Sequence, residues 1–305
     1  MMNNWKSLGL VIKTQKKFNW LQSHMWVPIV DNVDNNYVNI YFSSRNKENF
    51  SSTGVLKFFP NNLKKKIIIK SQPVIKLGNL GLFDDSAAIA CTLVNHKGSK
   101  YLYYVGWMQG KRIRYHPSIG LATLKPNQKK FKKFSKAPLI AKSDYEPYGM
   151  ASPFVMYDKN KKIWHMWYAS YRYWKLRKND PWPHYEIRYA SSIDGKAWKI
   201  KGQKCLGSSK LEAVARPYVI KEKNIFKMWY CYRKNYGHYK IGYAESKNAI
   251  DWKILNNKFN LKLSGESWDS EMQAYPCVFK FKGKNYMLYN GNNFGIEGIG
   301  LAVED

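Results

Sequence analysis

Several features are scarce or missing in this 305-residue sequence. Its four cysteines contain no C-x-x-C pair, so neither a zinc ribbon nor a disulfide scaffold is indicated. No apolar run approaches the roughly 18 residues of a membrane-spanning helix, and the N-terminal segment lacks a small-residue cleavage site. The histidines, aspartates and glutamates do not have the spacing typical of metal ligands, and the sequence has no glycine-rich loop of the phosphate-binding type. We therefore expect a cytoplasmic protein without a metal ion or a cofactor.

Acidic residues are also scarce: 21 Asp and Glu stand against 51 Lys and Arg, a net charge of +30. Such a charge attracts anionic partners, nucleic acids among them. However, only eight of the basic residues are arginines, which are suited to bidentate phosphate and base contacts. The lysine runs at 64–66 and 129–133 are typical of solvated loops between strands. Nucleic-acid binding is therefore the least favoured of the functions considered below.

The sequence repeats a three-strand unit five times. Each copy has a first strand, which lies near a proline in all copies but the second, a second strand that ends in aromatic residues and a third strand with small residues. The first strands cover 26–30, 89–94, 152–157, 216–221 and 275–281; the second cover 37–44, 101–107, 164–170, 226–232 and 286–291; the third cover 53–59, 119–124, 187–192, 241–246 and 299–304. Units rich in β-branched and aromatic residues, without helical periodicity, predict a β-propeller.

The predicted fold is all-β: a five-bladed β-propeller that spans residues 1–305 as a single domain. No linker rich in Pro, Gly or Ser divides the chain. The last copy ends at Asp305, directly after its third strand. We therefore expect residues 8–13 to supply the outer strand of the last blade and to close the ring.

Acidic residues recur just before the first strands. Aligning these strands on Pro28, Ala90, Pro153, Pro217 and Pro276 places Ser23, Asp85, Tyr148, Glu212 and Glu271 five residues earlier. In a propeller these positions point into the mouth of the central channel, so Asp85, Glu212 and Glu271 are the predicted catalytic residues. Asp84 and Asp269 lie in the same loops and are predicted substrate contacts, as is Tyr148. The alternative is that these acids cap turns or pair with lysines.

Cationic and aromatic residues are the second set of candidates. Arg216 directly precedes Pro217 and either holds a neighbouring carboxylate ionised, binds an anionic group or forms a structural ion pair. Insertions at 111–116 and 171–185 carry Arg114, His116, Arg172 and His184 beside tryptophans and tyrosines. Cations bind anions and aromatic rings stack on sugar faces, so these loops predict a substrate-binding surface. Solvated loops with packed aromatic residues are the alternative.

At these residues the sequence resembles the five-bladed propeller superfamily of carbohydrate-active enzymes. That superfamily includes glycoside hydrolase families 32, 43, 62, 68 and 117 and the family 130 mannoside phosphorylases. The chain looks more closely like bacterial proteins of undetermined activity found with surface-polysaccharide genes. Their signature runs FDDS, ASPFV, ARP, WDSEM and YNGN, which occupy 83–86, 151–155, 215–217, 268–272 and 289–292. The resemblance implies a carbohydrate or sugar-nucleotide substrate but transfers no reaction, since fold does not determine function.

The resemblance also implies acid and base roles for carboxylates from different blades. Glu212 is the predicted general acid, because its loop is apolar and would raise its pKa. Asp85 or Glu271 would then serve as the base. The first-blade acid of families 32 and 43 is replaced by Ser23 and His24, which departs from the family 43 pattern. Three hypotheses follow: a glycosidase-like enzyme, a phosphate-dependent phosphorylase or transferase, and a non-catalytic carbohydrate-binding propeller.

Overall fold

A computed structural model describes residues 3–207 and 213–305, and these form a nearly all-β protein. No helix among them is long and apolar enough to cross a membrane. A short α-helix, α1, covers Asn292–Gly295, and a 3-10 helix covers Asn256–Lys258. The strands in chain order are β1 (Asn3–Lys13), β2 (Ser23–Val33), β3 (Val38–Arg45), β4 (Ser51–Phe58), β5 (Ile68–Ile69), β6 (Ala87–His96), β7 (Ser99–Gln109), β8 (Tyr115–Leu124), β9 (Lys132–Lys133), β10 (Met150–Asp158), β11 (Ile163–Arg177), β12 (Asp180–Ser192), β13 (Lys199–Leu206), β14 (Ala213–Glu222), β15 (Ile225–Arg233), β16 (Lys240–Ser246), β17 (Lys253–Ile254), β18 (Phe259–Leu261), β19 (Ala274–Phe281), β20 (Lys284–Asn290) and β21 (Gly298–Glu304).

Within the described chain, the strands pair as antiparallel groups that follow the sequence repeat. The groups are β2 to β5, β6 to β9, β10 to β13, β14 to β17, and β19 to β21 with β1. The first and second groups are joined by one parallel residue pair, Ser51 with Ala87. The third and fourth groups are joined in the same way by Tyr185 with Ala213. The predicted order of first, second and third strands is therefore present in every copy.

The N-terminal strand completes the last group, as the sequence predicted. β1 runs antiparallel to β21, with pairs from Trp5 and Glu304 to Lys13 and Gly298. It begins earlier than the predicted residue 8, because its first residues also pair in parallel with β18. The strand thus joins the two ends of the described chain in one sheet.

The small residues of the third strands lie against aromatic rings. A Cβ atom added at Gly300 would lie 2.1 Å from Cη2 of Trp268, and one at Gly54 would lie 2.1 Å from Cη2 of Trp20. Gly120 and Gly242 stand in the same relation to the rings of Tyr104 and Tyr230. The glycines recur because each large ring occupies the space that a side chain on the third strand would need.

Candidate functional site

All five first strands contribute to one central cavity of about 390 Å³. Its wall includes a residue from each of β2, β6, β10, β14 and β19: Trp26, Cys91, Ser152, Arg216 and Tyr275. The ends of the second strands also reach it. Since all five groups contribute residues to its wall, the cavity lies where the groups converge.

A backbone irregularity directs side chains into this cavity. The residue before each proline of the first strands, at Val27, Ser152, Arg216 and Tyr275, has a positive φ between 50° and 58°. The strand pairing shifts at the same places, as in β-bulges. Non-glycine residues seldom adopt this conformation, which costs of order 1–3 kcal/mol, and bulges re-aim side chains next to binding sites. All four of these residues line the cavity.

The second group lacks the proline, and its register differs from the predicted alignment. Thr92 pairs with Tyr103 and Ala90 with Tyr104, which leaves Cys91 unpaired at the shift. Cys91 therefore takes the place of Pro153, and the alignment on Ala90 was wrong by one residue. Counting back five residues from Cys91 leads to Ser86, with Asp85 one residue further away.

Aromatic rings form much of the cavity wall. The rings of Trp107 and Tyr115 stack with centroids 4.9 Å apart, and Trp26 lies 5.8 Å from Tyr275. The hydroxyls of Tyr115 and Tyr171 are 3.2 Å apart. Burial raises the pKa of Tyr171 and of Tyr275 well above the ordinary value, so these phenols stay neutral. Such a wall suits the faces of sugar rings.

Arg216 is the most deeply buried charged group of the cavity, with 2% of its surface exposed. Its Nη1 donates a hydrogen bond to the carbonyl oxygen of Cys91 at 3.0 Å. Its Nε and Nη2 have no hydrogen-bond partner among the described residues. A buried cation with unsatisfied donors destabilises the protein unless an anion neutralises its charge and accepts its hydrogen bonds.

Three further arginines surround the cavity. Arg233 and Arg114 lie over the ring of Trp182, 4.6 and 5.1 Å from its centroid, and Arg45 lies 4.9 Å from that of Trp26. Arg233 donates from Nη2 to the carbonyl oxygen of Pro183, and its Nε has no partner in the described part of the chain. Burial lowers the pKa of Arg45, although an arginine remains protonated at neutral pH.

No aspartate or glutamate is among the described residues that line the cavity. The only ion pair of its arginines within residues 3–207 and 213–305 joins Arg114 to Asp180, through Nε and Oδ1 at 3.2 Å and a shorter Nη2 contact. The described wall of the cavity is therefore aromatic and cationic, and its charge would attract anions.

The predicted catalytic residues belong to different groups. The carboxylate of Asp85, which precedes β6, accepts hydrogen bonds from the Gly81 amide at 3.0 Å and the Ser86 hydroxyl at 2.7 Å. Glu271 precedes β19; its side chain is 63% exposed, and its carboxylate lies 3.2 Å from Nε2 of His238. Glu212 precedes β14 and lies outside the described residues. The structure does not test the catalytic roles, which stay predictions.

Asp84 and Asp269 take part in a repeated contact inside the protein. Asp84 accepts a hydrogen bond from the Tyr104 hydroxyl at 2.8 Å, and Asp269 accepts one from the Tyr289 hydroxyl at 3.0 Å. Both carboxylates are buried, and neither is among the described residues lining the central cavity. The observed hydrogen-bond donors to these two carboxylates include tyrosines of the same chain, and their contact with substrate stays a prediction.

A third copy of this contact was not predicted from the sequence. Glu146 is fully buried and accepts hydrogen bonds from Tyr168 at 2.8 Å, from Ser170 and from Arg188 at 3.3 Å. The signal was available, since each acid stands 20 to 22 residues before its tyrosine. These pairs tie the loop before a first strand to the second strand of the same group.

The two insertions contribute only part of the predicted set. Arg114 lines the cavity with Tyr115, Trp182 and Tyr185. Arg172 instead donates to the Tyr145 carbonyl at 3.3 Å and to Ser170 at 3.2 Å. Arg172 is not among the described residues that line the cavity, and neither are His116, His184 and Tyr148. The ring of His184 stacks on that of Tyr173 with centroids 4.3 Å apart, and the side chains of His116 and Tyr148 are exposed.

The sequence reasoning missed one recurring position of the second strands. Arg45, Trp107, Tyr171 and Arg233 occupy equivalent positions, three residues after a buried aromatic of the second strand, and all four line the cavity. Their shared position was a usable signal. Across residues 3–207 and 213–305, no three His, Cys, Asp or Glu side chains converge on a possible metal site.

The chain is similar in sequence to a mycobacterial protein and similar in fold to glycoside hydrolases. It is 32% identical over 301 residues, 98% of both chains, to "Uncharacterized protein Rv1502" of Mycobacterium tuberculosis (strain ATCC 25618 / H37Rv). No protein-family model matches the sequence. A structure named "Glycoside hydrolase" has a TM-score of 0.78 and 15% identity, covering 100% of this chain and 92% of its own. A thermostable family-43 glycoside hydrolase has a TM-score of 0.64 and 14% identity, covering 96% and 91%.

At these low identities the structural likeness establishes the fold alone. The fold is shared with propeller-type glycoside hydrolases, which confirms the fold that the resemblance in the sequence implied. The sequence identity along nearly the whole length is higher and defines the family. The chain belongs to the family of the mycobacterial protein Rv1502.

Proposed function

We propose that this protein is a glycosidase-like enzyme that binds an anionic glycan or sugar nucleotide in its central cavity. The observation that carries the proposal is Arg216, whose Nε and Nη2 lack partners among the described residues although the side chain is buried. A carboxylate or phosphate on the substrate would accept both hydrogen bonds in the bidentate geometry that guanidinium favours. The aromatic wall would hold the sugar ring.

A second unsatisfied donor supports an oxygen-rich ligand. Trp26 lines the same cavity, and its buried indole nitrogen has no partner in the described part of the chain. A sugar hydroxyl would accept this hydrogen bond. Together the two residues combine an anion contact with a hydroxyl contact, which is the pattern expected for a uronic acid or a sugar phosphate.

Catalysis is proposed to involve Glu212 as the general acid and Asp85 or Glu271 as the base. These residues precede β14, β6 and β19, the strands that contribute Arg216, Cys91 and Tyr275 to the cavity. A separation of about 6.5–9.5 Å between two carboxyl groups would predict inversion, and about 5–5.5 Å would predict retention. Full activity of Glu212→Gln on the natural glycan would exclude its assignment as the acid.

The architecture proposed with this function is a single five-bladed propeller over residues 1–305. Each antiparallel group is taken as one blade, with β1 as the outer strand of the last. The four cysteines are free thiols, three of them buried, which supports the proposal that the protein acts in the reducing cytoplasm. The proposed role there is in surface-polysaccharide metabolism.

A phosphorylase is the second candidate, because the cavity is rich in arginine and has no carboxylate among its described lining residues. Phosphorolysis needs one acid and a cationic pocket for inorganic phosphate. A non-catalytic binding propeller needs neither. Turnover that depends on inorganic phosphate would favour the phosphorylase, while binding without turnover would favour the binding protein.

The experiment that tests the proposal measures binding and turnover on matched anionic and neutral sugars. Calorimetric titration with glucuronate and galacturonate should give binding, and titration with glucose and galactose should give at least tenfold weaker binding. A panel of 4-nitrophenyl glycosides of the same sugars then reports hydrolysis, with and without phosphate. Equal affinity for the neutral sugars would reject the anionic substrate.

A further inference from the structure

A second, larger cavity lies between the first and second groups of strands. It is a groove of about 1300 Å³, lined by residues of β3, β4 and β7 and of the connections around 70–84 and 129–136. The described residues that line it include none of those that line the central cavity. Lys100 lies near the start of β7 and Trp107 near its end, so these two wall residues lie toward opposite ends of one strand.

The groove is strongly cationic. Its lining includes eight lysines, namely Lys57, Lys70, Lys76, Lys100, Lys129, Lys130, Lys133 and Lys136. Two buried acids in the lining are already neutralised, since Lys100 pairs with Asp31 and Lys133 Nζ lies 2.6 Å from Asp84. The six other lysines have no carboxylate partner within the described chain. They therefore leave a concentrated positive charge that an anionic partner would neutralise.

Aromatic rings accompany these lysines. Tyr37, Phe131 and Phe134 line the groove, and 49% of the surface of Phe134 is exposed. Lys57 Nζ lies 4.3 Å from the centroid of the Tyr37 ring. Exposed rings beside cations suit the faces of charged sugars.

We propose that this groove holds a segment of an anionic polysaccharide, a uronic-acid polymer, as a binding site separate from the central cavity. Its six lysines without a carboxylate partner in the described chain are complementary in charge to a polymer that carries one carboxylate per sugar. No arginine is among the described residues that line the groove. Because arginine commonly forms the bidentate contacts to phosphates and base edges, this lining disfavours a nucleic acid. The choice of a sugar polymer rests on the proposed function; the groove as a polyanion site does not.

Holding one segment of the polymer would raise the effective concentration of other segments near the central cavity. The two sites would then act on the same substrate in different ways. The groove would set affinity for long chains, and the cavity would select the sugar unit.

The test compares two triple variants with the same loss of charge. Lys129→Gln, Lys130→Gln and Lys136→Gln remove groove lysines, while Lys201→Gln, Lys247→Gln and Lys253→Gln remove exposed lysines elsewhere. Binding to immobilised polygalacturonate is measured at low and moderate salt. The groove variant is expected to bind at least tenfold more weakly and with a shallower salt dependence, and the control less than threefold more weakly. Equal weakening of both would mean attraction by net charge only and would overturn the proposal.

Further probes separate the alternatives. A dT20 oligonucleotide that binds more tightly than polygalacturonate and loses binding in the groove variant would overturn the sugar polymer in favour of nucleic acid. Phe134→Ala should weaken binding of polygalacturonate but not of inorganic polyphosphate, which has no ring to stack; equal effects would contradict a sugar-stacking role. Titration of the groove variant with monomeric galacturonate reports on the central cavity. A groove effect on the polymer without any monomer binding would reject the proposed function while leaving the groove site standing.

Discussion

Arg216 and Cys91 connect two first strands across the central cavity, since the guanidinium Nη1 of β14 donates to the backbone carbonyl of β6 at 3.0 Å. This single bond orients the side chain, and the positive φ of Arg216 places it at the bulge before Pro217. The Nε and Nη2 donors have no partner in the described part of the chain. One hydrogen bond thus fixes the position of a buried cation whose other two donors lack a partner among the described residues.

The first prediction concerns Arg216→Met. We expect affinity for glucuronate or galacturonate to fall at least tenfold, because the bidentate contact is lost. Stability should stay within about 1 kcal/mol of the wild type or rise, because removing an uncompensated buried charge offsets the lost hydrogen bond to Cys91. Calorimetric titration and urea unfolding measure the two effects. Arg216→Lys keeps the positive charge but lacks the two parallel donors of the guanidinium, so it should bind with intermediate affinity. Unchanged binding by the Met variant would contradict the anion contact.

The second prediction concerns the close approach of Gly300 to Trp268. Gly300→Ala should destabilise the protein by about 1–3 kcal/mol, since its Cβ would lie 2.1 Å from the indole ring. Trp268→Phe removes the ring atoms nearest to Gly300. The double variant should therefore lose less stability than the sum of the two single variants, and strict additivity in urea unfolding would argue against the clash.

The third prediction is a loss of stability in mild acid. Burial lowers the pKa of His24 to about 4, with Arg45 contributing, and burial likewise lowers the pKa of His165 to about 4 despite the nearby Asp158. In the unfolded chain these pKa values are about 6.5, so the unfolded state binds protons more readily. Stability is complete above pH 6.5 and falls as the pH drops toward 4, by about 2 kcal/mol per histidine at pH 5.

Urea unfolding at pH 7.5 and pH 5 measures this loss. His165→Asn retains a polar atom near the Tyr189 hydroxyl, which lies 2.6 Å from Nδ1 of His165, and has no group that titrates in this range. Its stability should vary less with pH than that of the wild type. The same pH dependence in variant and wild type would assign the effect to other groups.

The fourth prediction asks whether the buried Asp269 stabilises the fold or contacts a ligand. Asp269→Asn should cost about 1–3 kcal/mol of stability, because the charge-assisted hydrogen bond from Tyr289 is weakened inside the protein. Affinity for uronic acids should change less than twofold, since Asp269 is not among the described lining residues of the cavity. Glu304→Gln, which removes an acid far along the same group, serves as a control for charge. A large loss of affinity without a loss of stability would restore Asp269 as a substrate contact.

Much of the fold is visible in the sequence because strand patterns are local. The proline-led first strands, the aromatic second strands and the small-residue third strands each repeat over a few residues, and β1 was recognised as the strand that completes the last group. The register of β6 was misjudged because its bulge lacks the proline that marks the others. A missing local signal led to a one-residue error.

The sequence by itself determined the strand order and the cationic charge, since these follow from residue types and short spacings, and it placed Arg216 among the candidate residues. Only the tertiary structure decided which side chains meet. Arg45 and Arg233 are 188 residues apart in the chain, yet both line one cavity, while Asp84 and Asp269 are paired with tyrosines inside the protein. The physical reason is that each strand sets the direction of its side chains locally, whereas the packing of distant groups around one centre determines which of those directions converge.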